Sequence, residues 1–279
     1  MVSQEQRRRQ LAREKFLRQQ QRRTSARRKA RTRNSVIASV LGVVVIGSVA
    51  LYTTGAMKGD DDKKVNAGSE VTPSASPGKK APDPCEKPAK GAVKKLQWKK
   101  EPAMSIETSA KYTMKLATTC GDIGIALNTA APHTVNSFDF LANKGYFDHT
   151  KCHRLTTNGI YVLQCGDPTG TGSGGPGYTL PDENLKDKSL KGNTYPAGTV
   201  AMANQYNAQT KQGRHTGGSQ FFLVYKDSPL PPDYTPFGTI DKAGLKVLDK
   251  IAKAGESTGM GDGAPNATVV IDKATVARS

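Results

Sequence analysis

Five short segments in the second half of the chain place polar side chains among apolar ones. They read Cys152-His153-Arg154-Leu155, Val162-Leu163-Gln164-Cys165-Gly166-Asp167, Ala201-Met202-Ala203-Asn204, Gly218-Ser219-Gln220-Phe221-Phe222 and Phe237-Gly238. Together they embed one arginine and a few side-chain amides in apolar stretches. An arginine carries a permanent charge and a fork of N–H donors. These residue types are suited to orienting a peptide and polarising its backbone, and they do not indicate bond cleavage.

Nucleotide and nucleophilic chemistry fit the sequence less well. The glycine-rich run at 166–177 contains a formal G-x-G-x-x-G at Gly170, Gly172 and Gly175. Pro176 follows this run in place of the helical pattern that a phosphate-binding loop needs, so we interpret it as a tight loop. No serine lies in a G-x-S-x-G context, and no paired-carboxylate signature stands out.

Histidines and cysteines that lie close together in the sequence are candidate metal ligands. These are His149, Cys152 and His153, with Cys165 further on. Neighbouring residues of a strand face opposite sides, so Cys152 and His153 would not easily share one ion. We therefore expect no metal ion and no cofactor.

Periodicity predicts the elements that must position these segments. Tyr112, Met114 and Leu116 alternate with polar residues before a turn, and a second alternating run follows, which predicts a β-hairpin. A helix should begin at Pro132 and end near Gly145, with an apolar stripe of Val135, Phe138, Leu141 and Ala142. A second helix is predicted from Asp241 to Ala254, and the chain between the helices is β-like. One mostly antiparallel β domain with two helices thus accounts for residues 112–279.

The N-terminal part of the chain differs in composition from this domain. Residues 1–33 carry thirteen Lys and Arg residues against two acids, which is most of the formal net charge of +17. Such a block can bind nucleic acid, dock on anionic lipid or orient a membrane segment. The uncharged run at 34–57 favours the last, because about 20 apolar residues suffice to cross a bilayer. We expect a basic cytoplasmic tail, one transmembrane signal-anchor helix at 34–57 and no nucleic-acid partner; a cleaved secretory signal is the alternative.

The basic tail also predicts the topology of the remaining chain. Positive charge before the span keeps the N-terminus in the cytoplasm, so the protein should be single-pass in the cell membrane with its domain extracytoplasmic. Residues 58–90 are rich in Pro, Lys and Asp and predict a disordered linker. Residues 91–111, with the single tryptophan Trp98, are of uncertain structure and are interpreted as a strand or strap added to the domain. An oxidising compartment would favour two disulfides, with three pairings open, among Cys85, Cys120, Cys152 and Cys165.

The polar and apolar segments resemble those of the cyclophilin family, whose hallmark sequences read FHR, QGGD, MAN and GSQFF. Here they stand as CHR at 152–154, QCGD at 164–167, MAN at 202–204 and GSQFF at 218–222, in the same order and at compatible spacing. The resemblance covers about residues 112–279 and is to a membrane-anchored bacterial form of this peptidyl-prolyl cis-trans isomerase. It implies a mainly β fold, a closed eight-stranded antiparallel barrel with two capping helices and a ligand groove on its outer wall.

The resemblance also implies an activity and the residues that carry it. The chain would accelerate rotation of X-Pro bonds in extracytoplasmic proteins and assist their folding. Arg154 would donate to the proline nitrogen of the twisted bond, Gln164 would orient the arginine, and Asn204 would hold the preceding residue through its main chain. The remaining substrate-binding residues would be Tyr161, Val162, Ala203, Gln220, Phe222, Leu230 and Tyr234.

The sequence departs from the family pattern around the groove. The loop after Arg154 is two residues longer than usual, Tyr161 replaces a pocket phenylalanine, and Tyr234 replaces a histidine. Pro229 stands where a tryptophan is frequent, and residues 205–216 form an insertion. These changes bear on specificity and on binding of cyclosporin-type inhibitors more than on catalysis.

By the same resemblance, Cys152 and Cys165 would lie on adjacent strands that flank Arg154 and Gln164. That placement implies the disulfides Cys152–Cys165 and Cys85–Cys120, the second of which would tie the linker to the barrel.

Two other functions remain open at this point. A cyclophilin-like barrel could bind proline-containing segments without turning them over, or it could act as a tethered envelope scaffold. The expected partners are proline-containing polypeptides, whereas a scaffold would be recruited by other envelope proteins. The expected state is a membrane-anchored monomer.

Overall fold

The computed structural model describes residues 82–278. The basic tail at 1–33, the membrane span predicted at 34–57 and the linker up to residue 81 lie outside these residues. Between residues 82 and 278, none of the helices is both long and apolar enough to span a bilayer.

The described residues from Tyr112 onward form two helices and twelve strands. The helices are α1 (Pro132–Asn143) and α2 (Lys242–Lys253). The strands are β1 (Tyr112–Thr118), β2 (Gly121–Leu127), β3 (Thr150–Lys151), β4 (Arg154–Thr156), β5 (Val162–Cys165), β6 (Thr194–Tyr195), β7 (Thr199–Met202), β8 (Phe221–Val224), β9 (Ser228–Pro229), β10 (Pro236–Ile240), β11 (Asp262–Gly263) and β12 (Val270–Arg278). Ten strands form one sheet in the order β11-β4-β5-β8-β7-β10-β2-β1-β12-β3, and β6 pairs with β9.

Strands β1 and β2 form the hairpin that the alternating pattern predicts. They pair antiparallel from Tyr112 opposite Leu127 to Thr118 opposite Gly121. Their alternate apolar residues, among them Met114 and Ile125, are fully buried. Since successive side chains of a strand point to opposite faces, this alternation places one face of the hairpin in the core.

Both predicted helices are present. In α1, the stripe of Val135, Phe138 and Leu141 is fully buried, and a proline lies in the first turn, where its missing N–H costs no helical hydrogen bond. Asp241 caps α2, because its side chain accepts a hydrogen bond from the Gly244 amide at 2.6 Å.

The main sheet is strongly curled. Strand β3 lies at one end of the sheet order and β4 next to the other end, although only Cys152 and His153 separate them in the chain. A mainly β fold with a curled antiparallel sheet and two helices is therefore confirmed. The sheet has ten strands where eight were expected, and no pairing between residues 82 and 278 joins its two ends. Closure into a barrel stays a prediction.

The two faces of the sheet carry separate apolar clusters. On β5, Leu163 belongs to the main core, whereas its neighbour Val162 belongs to a second cluster. On β8, Phe221 is in the main core and Phe222 in the second cluster. The side-chain period of two thus builds a second apolar surface on the opposite face of these strands from the main core, and the candidate site lies there.

The segment 82–111 has no helix or strand. It makes hydrogen bonds to the domain at several points from Glu86 to Ser105. The Trp98 ring packs edge-on against Phe140, with centroids 5.1 Å apart. The Trp98 amide donates to the Pro176 carbonyl at 2.8 Å. This segment therefore contacts both α1 and the glycine-rich loop at 166–177.

Candidate active site

Four neighbouring strands carry a row of directly opposed residues. Arg154 on β4 pairs with Gln164 on β5, Gln164 pairs with Phe222 on β8, and Phe222 pairs with Ala201 on β7. Directly opposed residues point to the same face, and neighbouring strands lie about 4.8 Å apart. The backbone of Arg154 is therefore about 10 Å from that of Phe222, on one face of the sheet.

The polar end of this row is a chain of hydrogen bonds. The Arg154 Nη1 group donates to Gln164 Oε1 at 3.2 Å, and Gln164 Nε2 donates to Gln220 Oε1 at 2.9 Å. Gln220 Nε2 in turn donates to the Gly174 carbonyl at 2.9 Å. Gln164 thus holds the arginine from one side, and the glycine-rich loop holds the other end of the chain.

An acidic residue that the sequence analysis did not name holds Arg154 from the opposite side. Asp262 Oδ1 accepts from Arg154 Nε at 2.7 Å, and Oδ2 accepts from Nη2 at 2.8 Å. The hydrogen bond from Arg154 is the main reason why the pKa of Asp262 lies below its ordinary value of 3.8. The pKa of Arg154 is raised above its ordinary value, chiefly by the same hydrogen bond. The arginine and aspartate are therefore both charged over the whole neutral range.

The apolar end of the row is a buried cluster. Its buried members are Val162, Tyr195, Ala201, Phe222 and Val224. Partly buried side chains pack on it: Ile160, Leu190, Ala203, Leu230 and Tyr234. The Tyr234 ring stands edge-on to Phe222, with centroids 5.4 Å apart. The structure thus brings together five of the predicted substrate-binding residues: Val162, Ala203, Phe222, Leu230 and Tyr234.

Tyr161 does not join this cluster. Its ring packs against Tyr225 at 6.0 Å, and the Lys226 ammonium lies 4.5 Å from the ring centroid. Tyr161 lies immediately before β5, and Ile160 packs on the cluster in its place. No motif in the sequence pointed to Ile160.

Asn204 lies just after β7, and its side chain makes two hydrogen bonds within the domain. Its Nδ2 donates to the Asp233 carbonyl at 2.8 Å, and its Oδ1 accepts from the Tyr206 amide at 3.1 Å. These two hydrogen bonds fix the side chain of Asn204; contact between its main chain and a peptide stays a prediction from the resemblance.

Comparison with known proteins identifies the family to which this fold and groove belong. The sequence model of the family described as cyclophilin type peptidyl-prolyl cis-trans isomerase/CLD matches residues 113–276. The chain belongs to this family. The cyclophilin-type domain therefore contains every residue of the row from Arg154 to Ala201.

Individual relatives agree with this assignment. The chain is 50% identical over 172 residues to a protein of Mycobacterium leprae named "Probable peptidyl-prolyl cis-trans isomerase B", covering 58% of this chain and 56% of that protein. The protein of the same name from Mycobacterium tuberculosis strain H37Rv is 48% identical over 171 residues, covering 58% and 53%. The chain thus spans about half the length of the curated relatives it matches.

A solved structure shows the same fold. It is the crystal structure of a cyclophilin-type peptidyl-prolyl cis-trans isomerase from Cryptosporidium parvum, which is 26% identical and superposes with a TM-score of 0.50. The match covers 60% of this chain and 98% of that one.

An open cavity of about 390 Å³ lies beside the polar end of the row in the cyclophilin-type domain. Gln164, Gln220, Asn204 and the glycine-rich loop line it, and Gln97 contributes from the segment before the domain. Gln97 lies outside the residues that match the family model, and no sequence pattern pointed to it. The cavity is therefore bounded in part by a segment that the motifs do not cover.

Both disulfides have the partners that the resemblance implied. Cys152 is bonded to Cys165, and Cys85 is bonded to Cys120. The Cys152–Cys165 disulfide joins β5 to the residue that stands two positions before Arg154. His153 is half-buried between Cys152 and Arg154, and burial lowers its pKa below 6.5, so the imidazole is neutral at neutral pH.

Proposed function

We propose that the cyclophilin-type domain accelerates cis–trans isomerisation of X-Pro bonds in polypeptides. The observation that carries this proposal is the row of opposed residues on neighbouring strands. It joins a half-exposed arginine, which is hydrogen-bonded to both Asp262 and Gln164, to a buried apolar cluster. A proline ring would pack on Phe222, Val162 and Leu230, and its amide bond would then extend toward Arg154.

The chemistry needs neither a nucleophile nor a cofactor. Resonance sets a barrier of about 20 kcal/mol to rotation of the amide bond. Twisting removes that resonance and leaves the proline nitrogen more basic, so a donor aimed at it stabilises the twisted state more than either planar state. The guanidinium of Arg154 has five N–H groups, and only three take part in the hydrogen bonds to Asp262 and Gln164. It therefore keeps donors for this task.

The alternative is a module that binds proline-containing segments without turning them over. The test is a prolyl isomerase assay of the 279-residue chain on a short peptide with one X-Pro bond, with Arg154→Ala as the comparison. The proposal requires acceleration by the wild type that the variant loses while its circular dichroism spectrum is unchanged. Binding of the peptide by a folded wild type with no acceleration would favour the binding module.

The cellular location is a separate proposal. We propose that residues 34–57 anchor the chain in the cell membrane and that the cyclophilin-type domain acts on extracytoplasmic polypeptides. Support comes from the basic tail before that uncharged run and from the two disulfides, which persist in oxidising compartments. An alkaline phosphatase fused after residue 90 should be active in cells. A fusion in which only a cytoplasmic reporter is active would overturn this topology.

A further inference from the structure

The carboxylate that holds Arg154 comes from a distant part of the chain. Asp262 lies on β11, which pairs with β4 so that Asp262 is opposite Thr156. Thr156 is two residues from Arg154, and side chains two residues apart on a strand point to the same face. The pairing of these two short strands therefore brings Asp262 against the side of the arginine.

The contact between Asp262 and Arg154 uses a defined edge of the guanidinium. Nε and Nη2 donate to the two carboxylate oxygens at 2.7 and 2.8 Å, and one N–H of Nη1 donates to Gln164 at 3.2 Å. A bidentate pair of this kind fixes the plane of the guanidinium as well as its position. One N–H remains on each of the two terminal nitrogens.

The loop that carries Asp262 is itself held in place. Glu256, which is 7% exposed, accepts from the Gly261 amide at 2.8 Å and from the Thr258 amide at 2.6 Å. The Gly261 carbonyl accepts from the Thr157 amide at 2.9 Å. Gly261 has a φ of 93°, and a Cβ there would lie 2.5 Å from Asn158 Cβ. The carboxylate is therefore presented by a loop with little freedom.

We infer that Asp262 is a positioning residue for Arg154, which fixes the guanidinium so that its two remaining N–H groups face the X-Pro bond. The inference rests on the proposed function. A long, half-exposed arginine loses considerable rotamer entropy when it is fixed, and a group that fixes it beforehand removes that cost from the reaction.

A carboxylate also lowers the positive potential of the arginine, which would oppose catalysis. The Asp262 side chain is 56% exposed, so solvent and salt screen this effect. Screening does not weaken the geometric constraint. Positioning therefore outweighs neutralisation, and removal of the carboxylate should slow the reaction.

The test measures kcat and KM separately for the 279-residue chain and for Asp262→Asn. We expect kcat to fall on the order of fivefold to tenfold with KM changed less than about twofold. Asp262→Glu, which keeps the carboxylate, should recover most of the lost kcat. In an Arg154→Ala background, Asp262→Asn should have no further effect, because the group that it positions is absent.

Glu107→Gln is the matched control. Glu107 forms a second bidentate pair with Arg278, with both contacts at 2.6 Å, and its side chain is about as exposed as that of Asp262. Breaking that pair should leave kcat unchanged. An equal loss in both variants would mean that Asp262 acts only through stability, and an unchanged or higher kcat in Asp262→Asn would overturn the inference.

A readout independent of turnover separates this inference from the proposed function. In the ¹⁵N NMR spectrum, the Arg154 Nε–H should be ordered in the wild type and mobile in Asp262→Asn. If the wild type does not accelerate isomerisation, the proposed function fails, and this spectrum still decides whether Asp262 positions the arginine. An Arg154 side chain that is equally ordered in both proteins would overturn the inference.

Discussion

The polar end and the apolar end of the row from Arg154 to Ala201 are built in different ways. At the apolar end, Phe222 and Val162 are almost completely buried by residues from neighbouring strands. At the polar end, the Arg154 side chain is 40% exposed, and its hydrogen-bond partners come from β5 and from β11, 108 residues further along the chain. Packing therefore fixes the apolar end, whereas hydrogen bonds from two different strands fix the polar end. The apolar end should therefore govern binding, and the polar end should govern the rotation step.

The largest effect on stability should come from the apolar end. Phe222→Ala removes a ring that is 5% exposed and packs edge-on against Tyr234. Deleting a buried aromatic ring loses its transfer free energy and leaves a cavity, so the free energy of unfolding should fall by about 3 kcal/mol. Urea unfolding followed by circular dichroism measures this.

The milder variant Phe222→Leu should stay folded and show a higher KM with kcat little changed. A Phe222→Ala protein as stable as the wild type, with an unchanged KM, would contradict the division of roles between the two ends.

A smaller effect, confined to kcat, should come from Gln164. Its side chain accepts from Arg154 and donates to Gln220, so Gln164→Ala releases one side of the arginine while the two hydrogen bonds to Asp262 remain. We expect kcat to fall by about tenfold and KM to stay within about threefold, by steady-state kinetics. A Gln164→Ala variant that weakens peptide binding and spares kcat would place Gln164 with the apolar end.

The smallest effect should be the response to pH. Burial lowers the pKa of His153 below 6.5, burial raises the pKa of Tyr234 above 10.0, and the ion pair keeps both Arg154 and Asp262 charged. From about pH 7 to about pH 9 none of these groups titrates, so kcat/KM should be flat within about twofold.

An acid limb is expected well below this range. The pKa of Asp262 is depressed, so its carboxylate is lost only as the pH falls below the ordinary value of 3.8, and kcat should fall there. Asp262→Asn should lack that limb. A step in kcat near pH 6.5 would instead show that a histidine takes part.

Local patterns predicted much of the fold. The hairpin of β1 and β2, the helix that begins at Pro132 and the helix capped by Asp241 all follow from periodicity and capping residues within a few positions of each other. The longest strand, Val270–Arg278, was not predicted. Its position is set by pairing with β1 along most of its length, which a local pattern does not encode.

The candidate site shows the same limit. The resemblance named Arg154, Gln164 and Phe222, and strand register places them in one row. Asp262 carried no signal, because its contact depends on the pairing of two short strands far apart in the chain. Tyr161 was matched by position alone. It precedes β5, and its ring packs against Tyr225 and not on the cluster that includes Val162.

The central claim is that Arg154 stabilises the twisted X-Pro bond more than it binds the ground state. The most direct measurement compares Arg154→Ala with the wild type for kcat, and for the Kd of a proline peptide. The account predicts a loss of kcat on the order of a hundredfold, with the Kd changed less than about threefold. A variant whose Kd rises as much as its kcat/KM falls would show that the arginine only binds the peptide, and it would contradict the account.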